Sequence, residues 1–266
     1  RQHPDIGIVN LDKLTYAGNL ENLKEVERDE RHIFVQGDIG DEALVASLFK
    51  QYQLSAVVNF AAESHVDRSI EDPAIFARTN VMGTLNLLSC ARAAWETDGA
   101  WQNGAKYVQV STDEVYGSLG AEGFFTEETP LNPHSPYSAS KAASDLFVAA
   151  WHDTYGLPAY ITRCSNNYGP YQFPEKLIPK TIIRAKEGLK IPIYGTGENV
   201  RDWYYVTDHS RAVEQVLNSG RRGEIYNISA GEERTNLFIA KFILEMLGKS
   251  EDQIEFVEDR PGHDAR

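Results

Sequence analysis

Cysteine is scarce in this sequence. Cys90 and Cys164 are the only two, far apart and without the paired spacing of a metal knuckle or redox motif. A disulfide framework is excluded, both thiols read as packing residues, and the usage fits a reducing compartment. Positive charge is also short, with 26 Lys and Arg against 39 Asp and Glu and a net charge of −13. That argues against a nucleic-acid surface, which needs a basic stripe; an anionic small ligand needs only a few local arginines. No apolar run approaches the roughly 18 residues of a membrane span. The stretch Arg1-Gln-His-Pro-Asp5 has no apolar leader character, so the expectation is a cytoplasmic protein with neither membrane nor nucleic acid among its partners. The seven histidines show no paired ligand spacing, and no metal is expected. Also missing is a Gly-x-Gly-x-x-Gly loop; Gly195-Thr-Gly197 lacks the third glycine and reads as a turn.

What is present is an alternation of short apolar runs with helical periodicity. Residues 6–12, 32–39, 56–62, 106–110 and 159–163 read as buried parallel strands. Helical spacing covers 41–52, a segment from about 73, and 138–155 closed by Gly156. Strands alternating with helices predict an α/β fold built on a doubly wound parallel sheet. Later come a helix over 176–187, short strands at 191–194 and 203–206, a helix over 208–218, a strand at 224–228 returning to the sheet, and a helix capped by Thr235. With 266 residues, the chain has room for one or two domains. A Rossmann-like sheet should begin with a strand and a glycine-rich loop, and both are absent from this sequence. The expectation is that it starts inside or just after the first helix of the fold, and that Arg260-Pro-Gly-His-Asp264 stops short of a finishing element.

The chemistry concentrates at the end of one strand. Val110-Ser-Thr-Asp-Glu-Val-Tyr-Gly117 places hydroxyls and adjacent carboxylates where open α/β sheets hold ligands. Downstream, Tyr137 and Lys141 are four apart and share one helix face. An ammonium beside a phenol favours the phenolate, so the expectation is that Lys141 lowers the pKa of Tyr137. Two carboxylates and an activated tyrosine make an acid/base set. Adjacent loop acids by themselves are usually solvated or capping groups; their setting at a strand end is what favours chemistry here.

The pieces Leu11-Asp-Lys-Leu-Thr-Tyr-Ala-Gly-Asn19, Gly37-Asp-Ile39, Phe60-Ala-Ala-Glu-Ser-His-Val-Asp67, Ser111–Gly117, Tyr137-Ser-Ala-Ser-Lys141, Ser165-Asn-Asn-Tyr-Gly-Pro170 and Asn199-Val-Arg-Asp-Trp203 together resemble the extended short-chain dehydrogenase/reductase superfamily. The nearest likeness is to its dTDP-glucose 4,6-dehydratase family, because epimerases of the superfamily lack the adjacent Asp-Glu. The resemblance implies a lyase that uses recycled NAD to dehydrate a nucleotide sugar, dTDP-glucose, to its 4-keto-6-deoxy product. A homodimer through the helices around 73–95 and 138–155 is implied too. It further implies an NAD-binding domain over 1–168, joined by 203–229, and a smaller substrate-binding domain over 169–202 and 230–266.

In the implied scheme Tyr137 takes the 4-hydroxyl proton with Lys141 beside it, Glu114 removes the C5 proton, and Asp113 protonates the leaving 6-hydroxyl. Thr112 either hydrogen-bonds the 4-hydroxyl or serves the turn. For the cofactor, Asp12 would hold ribose hydroxyls, which favours NAD over NADP, while Lys13 could meet a 2′-phosphate. Asp38 and Ile39 would border the adenine, with Ala61, Ala62 and Ser111 along the sheet's carboxyl edge, and Tyr137 and Lys141 would contact the cofactor as well. The two alanines serve strand packing equally well, and Asn80 reads as a helix-interior packing residue. Arg201 and Arg260 suit a diphosphate; Asn166, Lys176, His263 and His65 complete the substrate candidates. Two other readings remain: a nucleotide-sugar 4-epimerase and a noncatalytic dinucleotide-binding subunit.

Overall fold

The computed structural model describes residues 3–266; of the N-terminal stretch read for a leader, Arg1 and Gln2 lie outside them. The apolar runs become strands β1 (Ile8–Asp12), β2 (His32–Gln36) and β3 (Ala56–Asn59), with helix α1 (Glu42–Tyr52) between the last two. Asp41 caps α1 by accepting from Leu44 N. Helices α2 (Val66–Glu71) and α3 (Pro73–Phe76) follow, and α3 runs through a wide-turned π segment, Ala77–Met82, into α4 (Gly83–Trp95). A small hairpin, β4 (Glu96–Thr97) and β5 (Ala100–Trp101), leads to β6 (Lys106–Thr112). Then come α5 (Pro136–Tyr155), β7 (Ala159–Cys164) and β8 (Asn166–Tyr168). The remainder comprises α6 (Leu177–Glu187), β9 (Ile191–Tyr194), β10 (Val200–Tyr205), α7 (Val206–Ser219), β11 (Ile225–Ile228), β12 (Glu233–Thr235), α8 (Asn236–Met246) and β13 (Ile254–Val257).

The main sheet runs β11-β7-β6-β3, all parallel. Side chains alternate across it as the strand period requires. Val108, Val110 and Tyr160 pack under Val213 and Val216 of α7. Tyr107, Ala159 and Ile161 face the other way, into a core with Leu88, Ala91 and Trp95 of α4 and Val148 of α5. Helices on both faces make the sheet doubly wound, as the alternation in the sequence implies. Strands β1 and β2 form a separate parallel pair, whose Leu11 packs on that second core. Within the core, Asn59 Nδ2 donates to Thr84 Oγ1 at 3.2 Å and to Gln109 Oε1 at 3.0 Å, so β3, α4 and β6 share a satisfied polar knot.

A second apolar cluster forms among Ala185 of α6, Ile191 and Ile193 of β9, and Ala240 and Leu244 of α8. Strand β8 leaves the end of β7 and pairs with β10, which pairs in turn with β12. The main sheet therefore hands the chain directly to this second unit. Gly195 and Gly197 both hold positive φ, at 54° and 75°, and form the turn expected of them.

Departures from the expected elements have physical causes. The strand read as ending at Val110 continues through Thr112, because Ser111 and Thr112 pair with Arg163 and Cys164 of β7. The strand expected at 203–206 begins earlier, at Val200, where Arg201 and Asp202 pair with β12. The short strands β8, β12 and β13 carry too little alternation to be read from sequence.

Helix α5 starts at a capping box: Ser135 Oγ accepts from Ser138 N and Ser138 Oγ accepts from Ser135 N, both at 3.1 Å. Replacing Ser135 with Ala should cost about 1 kcal/mol, the usual worth of such a cap, read as a lower urea midpoint. An unchanged midpoint would deny the box its role in holding the helix start.

Candidate active site

Strand β6 delivers Ser111 and Thr112 at its carboxyl end, and a single 3₁₀ turn, Asp113–Tyr116, follows at once. Thr112 Oγ1 accepts from Glu114 N at 3.2 Å and caps this turn. The same hydroxyl lies 3.3 Å from Asp113 Oδ1. Glycine is required at 117, where φ is +81° and a Cβ would meet Asn132 O at 2.2 Å. The turn thus holds both acids, partly buried, at the sheet edge.

Helix α5 brings Tyr137 and Lys141 to the same place. Both are buried, at 9% and 4% exposure. Lys141 Nζ donates to Val110 O at 2.7 Å, fastening the helix to β6. Asn80 on the π segment fixes the opposite flank: its Nδ2 donates to Glu63 O at 2.9 Å and Ser140 Oγ at 2.8 Å, and its Oδ1 accepts from Glu63 N. Its backbone carbonyl accepts from Ser144 Oγ. Asn80 is buried inside a helical run as read, but it works through hydrogen bonds rather than packing. A π segment sitting on a functional flank is a recurring pattern.

Electrostatically the groups constrain one another. Burial, with the charge of Glu114 next, pushes Asp113 up to about 7. Glu114 is also raised by burial, but Arg201, Arg260 and Lys176 oppose the rise. Tyr137 is held well above its ordinary value, first by burial and then by Glu114; the Thr112 hydroxyl works against the rise. The expectation that Lys141 lowers the phenol is therefore not met in this arrangement. Burial lowers Lys141 itself, and its ammonium is aimed at Val110 O.

The three opposing cations come from the second half of the chain. Lys176 Nζ donates to Ser64 O at 3.1 Å. Arg201 lies on β10 and donates to Val200 O. Arg260 Nη1 reaches Asp67 Oδ1 at 3.1 Å, while its Nε is buried without a partner. His263 meets Asp259 Oδ1 at 2.7 Å and sits edge-on to Tyr194, whose hydroxyl donates to Asp67. His65 lies 3.8 Å from Glu175, with Nδ1 buried and unpartnered. Asn166 opens β8 opposite Trp203.

The cofactor candidates line the ends of β1, β2 and β3. Asp12 ends β1 exposed, and one of its oxygens accepts from Leu14 N at 2.7 Å. Lys13 pairs with Asp38 Oδ2 at 2.6 Å, so each partly satisfies the other. Ile39 is buried against Gly83, whose added Cβ would fall 2.6 Å from Ile39 Cδ1. Ala61 and Ala62 are partly exposed just beyond β3, and Ala61 N donates to Asn59 Oδ1. Small side chains and exposed acids along one carboxyl edge fit a hydroxyl-rich nucleotide. Ser111 is buried with its Oγ unpartnered.

Sequence reasoning passed over Glu175, Asp67, Asp145 and Arg163. Glu175 accepts from Tyr16 OH at 3.1 Å and stands near His65 and Arg68, gathering three loops. Asp145 was open to discovery from spacing alone, since it lies one further helical step of four beyond Lys141.

Comparison with known proteins supplies a family. The sequence model of the GDP-mannose 4,6 dehydratase family matches residues 1–265. A dTDP-glucose 4,6-dehydratase of Xanthomonas campestris pv. campestris is 55% identical over 98% of this chain and 77% of its own length. A dTDP-glucose 4,6-dehydratase 1 of Escherichia coli K12 is 49% identical over 97% of this chain and 76% of its own. The crystal structure of DesIV, a dTDP-glucose 4,6-dehydratase of Streptomyces venezuelae with NAD and TYD bound, superposes with a TM-score of 0.93 at 50% identity, covering 99% of this chain and 78% of that one. A UDP-glucuronic acid 4-epimerase of Bacillus cereus reaches 0.87 at only 25% identity, over 97% and 80%.

Asp113 yields a pH signature. Its folded pKa of about 7 lies above the ordinary carboxyl value of 3.8. Its contribution to stability is therefore complete below about pH 4 and is lost as pH rises through 7. Asp113→Asn, which cannot titrate, should show a melting temperature that gains on the parent between pH 4 and 7 and then holds a constant lead. Parallel curves across that window would contradict the raised carboxyl.

Proposed function

The chain belongs to the GDP-mannose 4,6 dehydratase family, within which its close relatives are dTDP-glucose 4,6-dehydratases, and on that premise we propose that it dehydrates dTDP-glucose to dTDP-4-keto-6-deoxyglucose. NAD, held by the residues at the ends of β1, β2 and β3, would supply a hydride acceptor for C4 and, once reduced, a hydride donor for C6. The proton at C5 is not acidic until C4 is a ketone, so oxidation must come first. The observation that carries the reading is the pair Asp113 and Glu114 at the end of β6, near the Tyr137 phenol and within the field of three cations.

Tyr137 takes the proton of the 4-hydroxyl, with Thr112 in reach of the same oxygen. Glu114 removes the C5 proton. Asp113 gives its proton to the departing 6-hydroxyl, which leaves as water. A carboxyl raised to about 7 keeps a protonated fraction at neutral pH, as a general acid must. Glu114 faces Arg201, Arg260 and Lys176, which favour its ionised form and suit it to be the base. The same cations suit the nucleotide diphosphate. The unpartnered Nε of Arg260 and Nδ1 of His65 leave further polar atoms for the sugar nucleotide, with His263 and Asn166 at the margin.

Asp12, Lys13, Asp38, Ile39, Ala61, Ala62 and Ser111 take the cofactor side. In domain terms, 1–168 with 203–229 carries NAD, and 169–202 with 230–266 carries the sugar nucleotide. Free Cys90 and Cys164 agree with a cytoplasmic setting. Met82 and Leu146, exposed on the segments assigned to a dimer interface, support a homodimer.

Incubation of the purified protein with NAD and dTDP-glucose in D2O tests the reaction. The expected product is the 4-keto-6-deoxy sugar with deuterium at C5, followed by NMR. A 4-epimer with its C5 proton retained would replace this reading with the epimerase. Tyr137→Phe should lower turnover by about 10²–10⁴-fold while NAD content is unchanged; undiminished turnover would remove Tyr137 from the chemistry.

A further inference from the structure

Behind the acid/base set lies a buried charge relay that the proposed reaction leaves without a role. Tyr137, Lys141 and Asp145 follow one another at steps of four on α5, so they share a face. Asp145 is 1% exposed and Arg163, on β7, is 4% exposed. Arg163 Nε donates to Asp145 Oδ2 at 2.9 Å, and its Nη1 donates to Tyr116 OH at 2.9 Å. Tyr116 OH donates onward to Asn227 Oδ1 at 2.8 Å. Arg163 is thus held by three elements and cannot swing.

A pair built only for stability would engage both carboxylate oxygens through the guanidinium fork. This one engages a single oxygen. The other, Asp145 Oδ1, makes no hydrogen bond to the guanidinium, and the buried Ser111 hydroxyl at the same strand end is the group set toward that carboxylate. Lys141 stands one turn away on the same face, with one N–H given to Val110 O. The groups that face Lys141 are Tyr137 and Asp145 on α5, the Val110 carbonyl with Asp113 beyond it on β6 and its turn, and Cys164 on β7.

We propose that Asp145 is a positioning residue of the reaction: its carboxylate, one helical turn away on the same face, keeps Lys141 charged beneath Tyr137, and Arg163 sets how much of that negative charge Lys141 receives. The inference rests on the acid/base reading of Tyr137. It agrees with the balance at Lys141, where burial disfavours the ammonium and Asp145 leads the groups opposing that loss.

The test is the pH profile of the oxidation half-reaction alone, read as NADH absorbance in a single turnover, a step in which Asp113 takes no part and whose high-pH limb Lys141 deprotonation sets. Asp145→Asn should move that limb to lower pH by about one unit. Arg163→Met should move it to higher pH, because Asp145 is then uncompensated. A salt bridge of purely structural worth would lower stability and shift neither limb; unshifted limbs, or shifts of the same sign, overturn the proposal. Profiles are taken on preparations with parental NAD content and cooperative melting. Should a single variant fail that check, the double variant Asp145→Leu/Arg163→Met removes both buried charges, which proteins often tolerate. Its limb should fall as for Asp145→Asn, and an unshifted one overturns the proposal. Tyr137→Phe separates the levels: retained turnover defeats the acid/base reading itself, whereas lost turnover with unshifted limbs defeats only the role of Asp145.

Discussion

The contact from Lys141 Nζ to Val110 O, at 2.7 Å, is the one on which the site depends. It joins the helix that carries the phenol to the strand that carries the acids. Without it, α5 is tied to β6 by apolar packing and by the side-chain hydroxyls of Ser111 and Thr112, with no hydrogen bond from the helix to the strand backbone at Val110. The residues between Tyr137 and Lys141 reinforce it from other sides. Ser138 completes the capping box, and Ser140 is hydrogen-bonded both to Tyr137 O and to Asn80. Nearly every residue of this short stretch therefore fixes the helix against something: the cap, the π segment or the strand.

The second dependence is electrostatic and long-range in sequence. Two acids at a strand end are expensive to bury, and from the first half of the chain the Thr112 hydroxyl opposes the cost without supplying a charge. Lys176, Arg201 and Arg260 supply that charge from the second half. Their positions are set in turn by Ser64, Val200 and Asp67. Cations and acids thus hold the two halves in one arrangement, and a bound diphosphate would compete for the same guanidinium groups. The handover from β7 to β8 makes this geometry rigid, since it leaves no linker between the sheet and the unit that supplies the cations.

Much of this was readable in advance, and the reasons differ by element. Parallel strands announce themselves as apolar runs, so β1, β2, β3, β6 and β7 were visible; β1 and β2, expected to be buried, are only partly so, with Ile8 57% exposed, because they pair with each other apart from the main sheet. The caps Thr235 and Gly156 were visible as local chemistry, whereas Asp41, read as the first residue of its helix, is the cap before it. Strand β8 was not, because Asn-Asn-Tyr carries no period and exists only through pairing with β10. Among site residues, Tyr137, Lys141, Asp113 and Glu114 were legible from spacing and setting. Asn80 and Glu175 were not, since hydrogen bonds to distant loops leave no local trace. The pKa of Tyr137 failed for a different reason. Adjacency of Lys and Tyr on a helix predicts the sign of one interaction, whereas burial and Glu114 supply larger ones of opposite sign.

That last failure bears on how the site is charged before substrate arrives. Tyr137, Asp113 and Glu114 titrate as a coupled set, so the ionisation of any one raises the others. Cations act on the two acids unevenly. Glu114 is faced by three, whereas Asp113 feels Glu114 as its strongest charged neighbour and Arg201 in opposition. The cations favour placing the negative charge on Glu114, with the proton held on Tyr137 and partly on Asp113. That is the distribution a dehydration requires at its second stage: a base at C5 and an acid at the 6-hydroxyl. The first stage requires instead that Tyr137 give up its proton, which this set resists. The resistance would weaken if positive charge were placed over the sheet edge beside the phenol, because burial and Glu114 outweigh Lys141 in the arrangement seen here. On the proposed reading the two stages make opposite demands on one coupled set, a deprotonated phenol first and a protonated Asp113 second, so the charge brought to the sheet edge decides which demand is met.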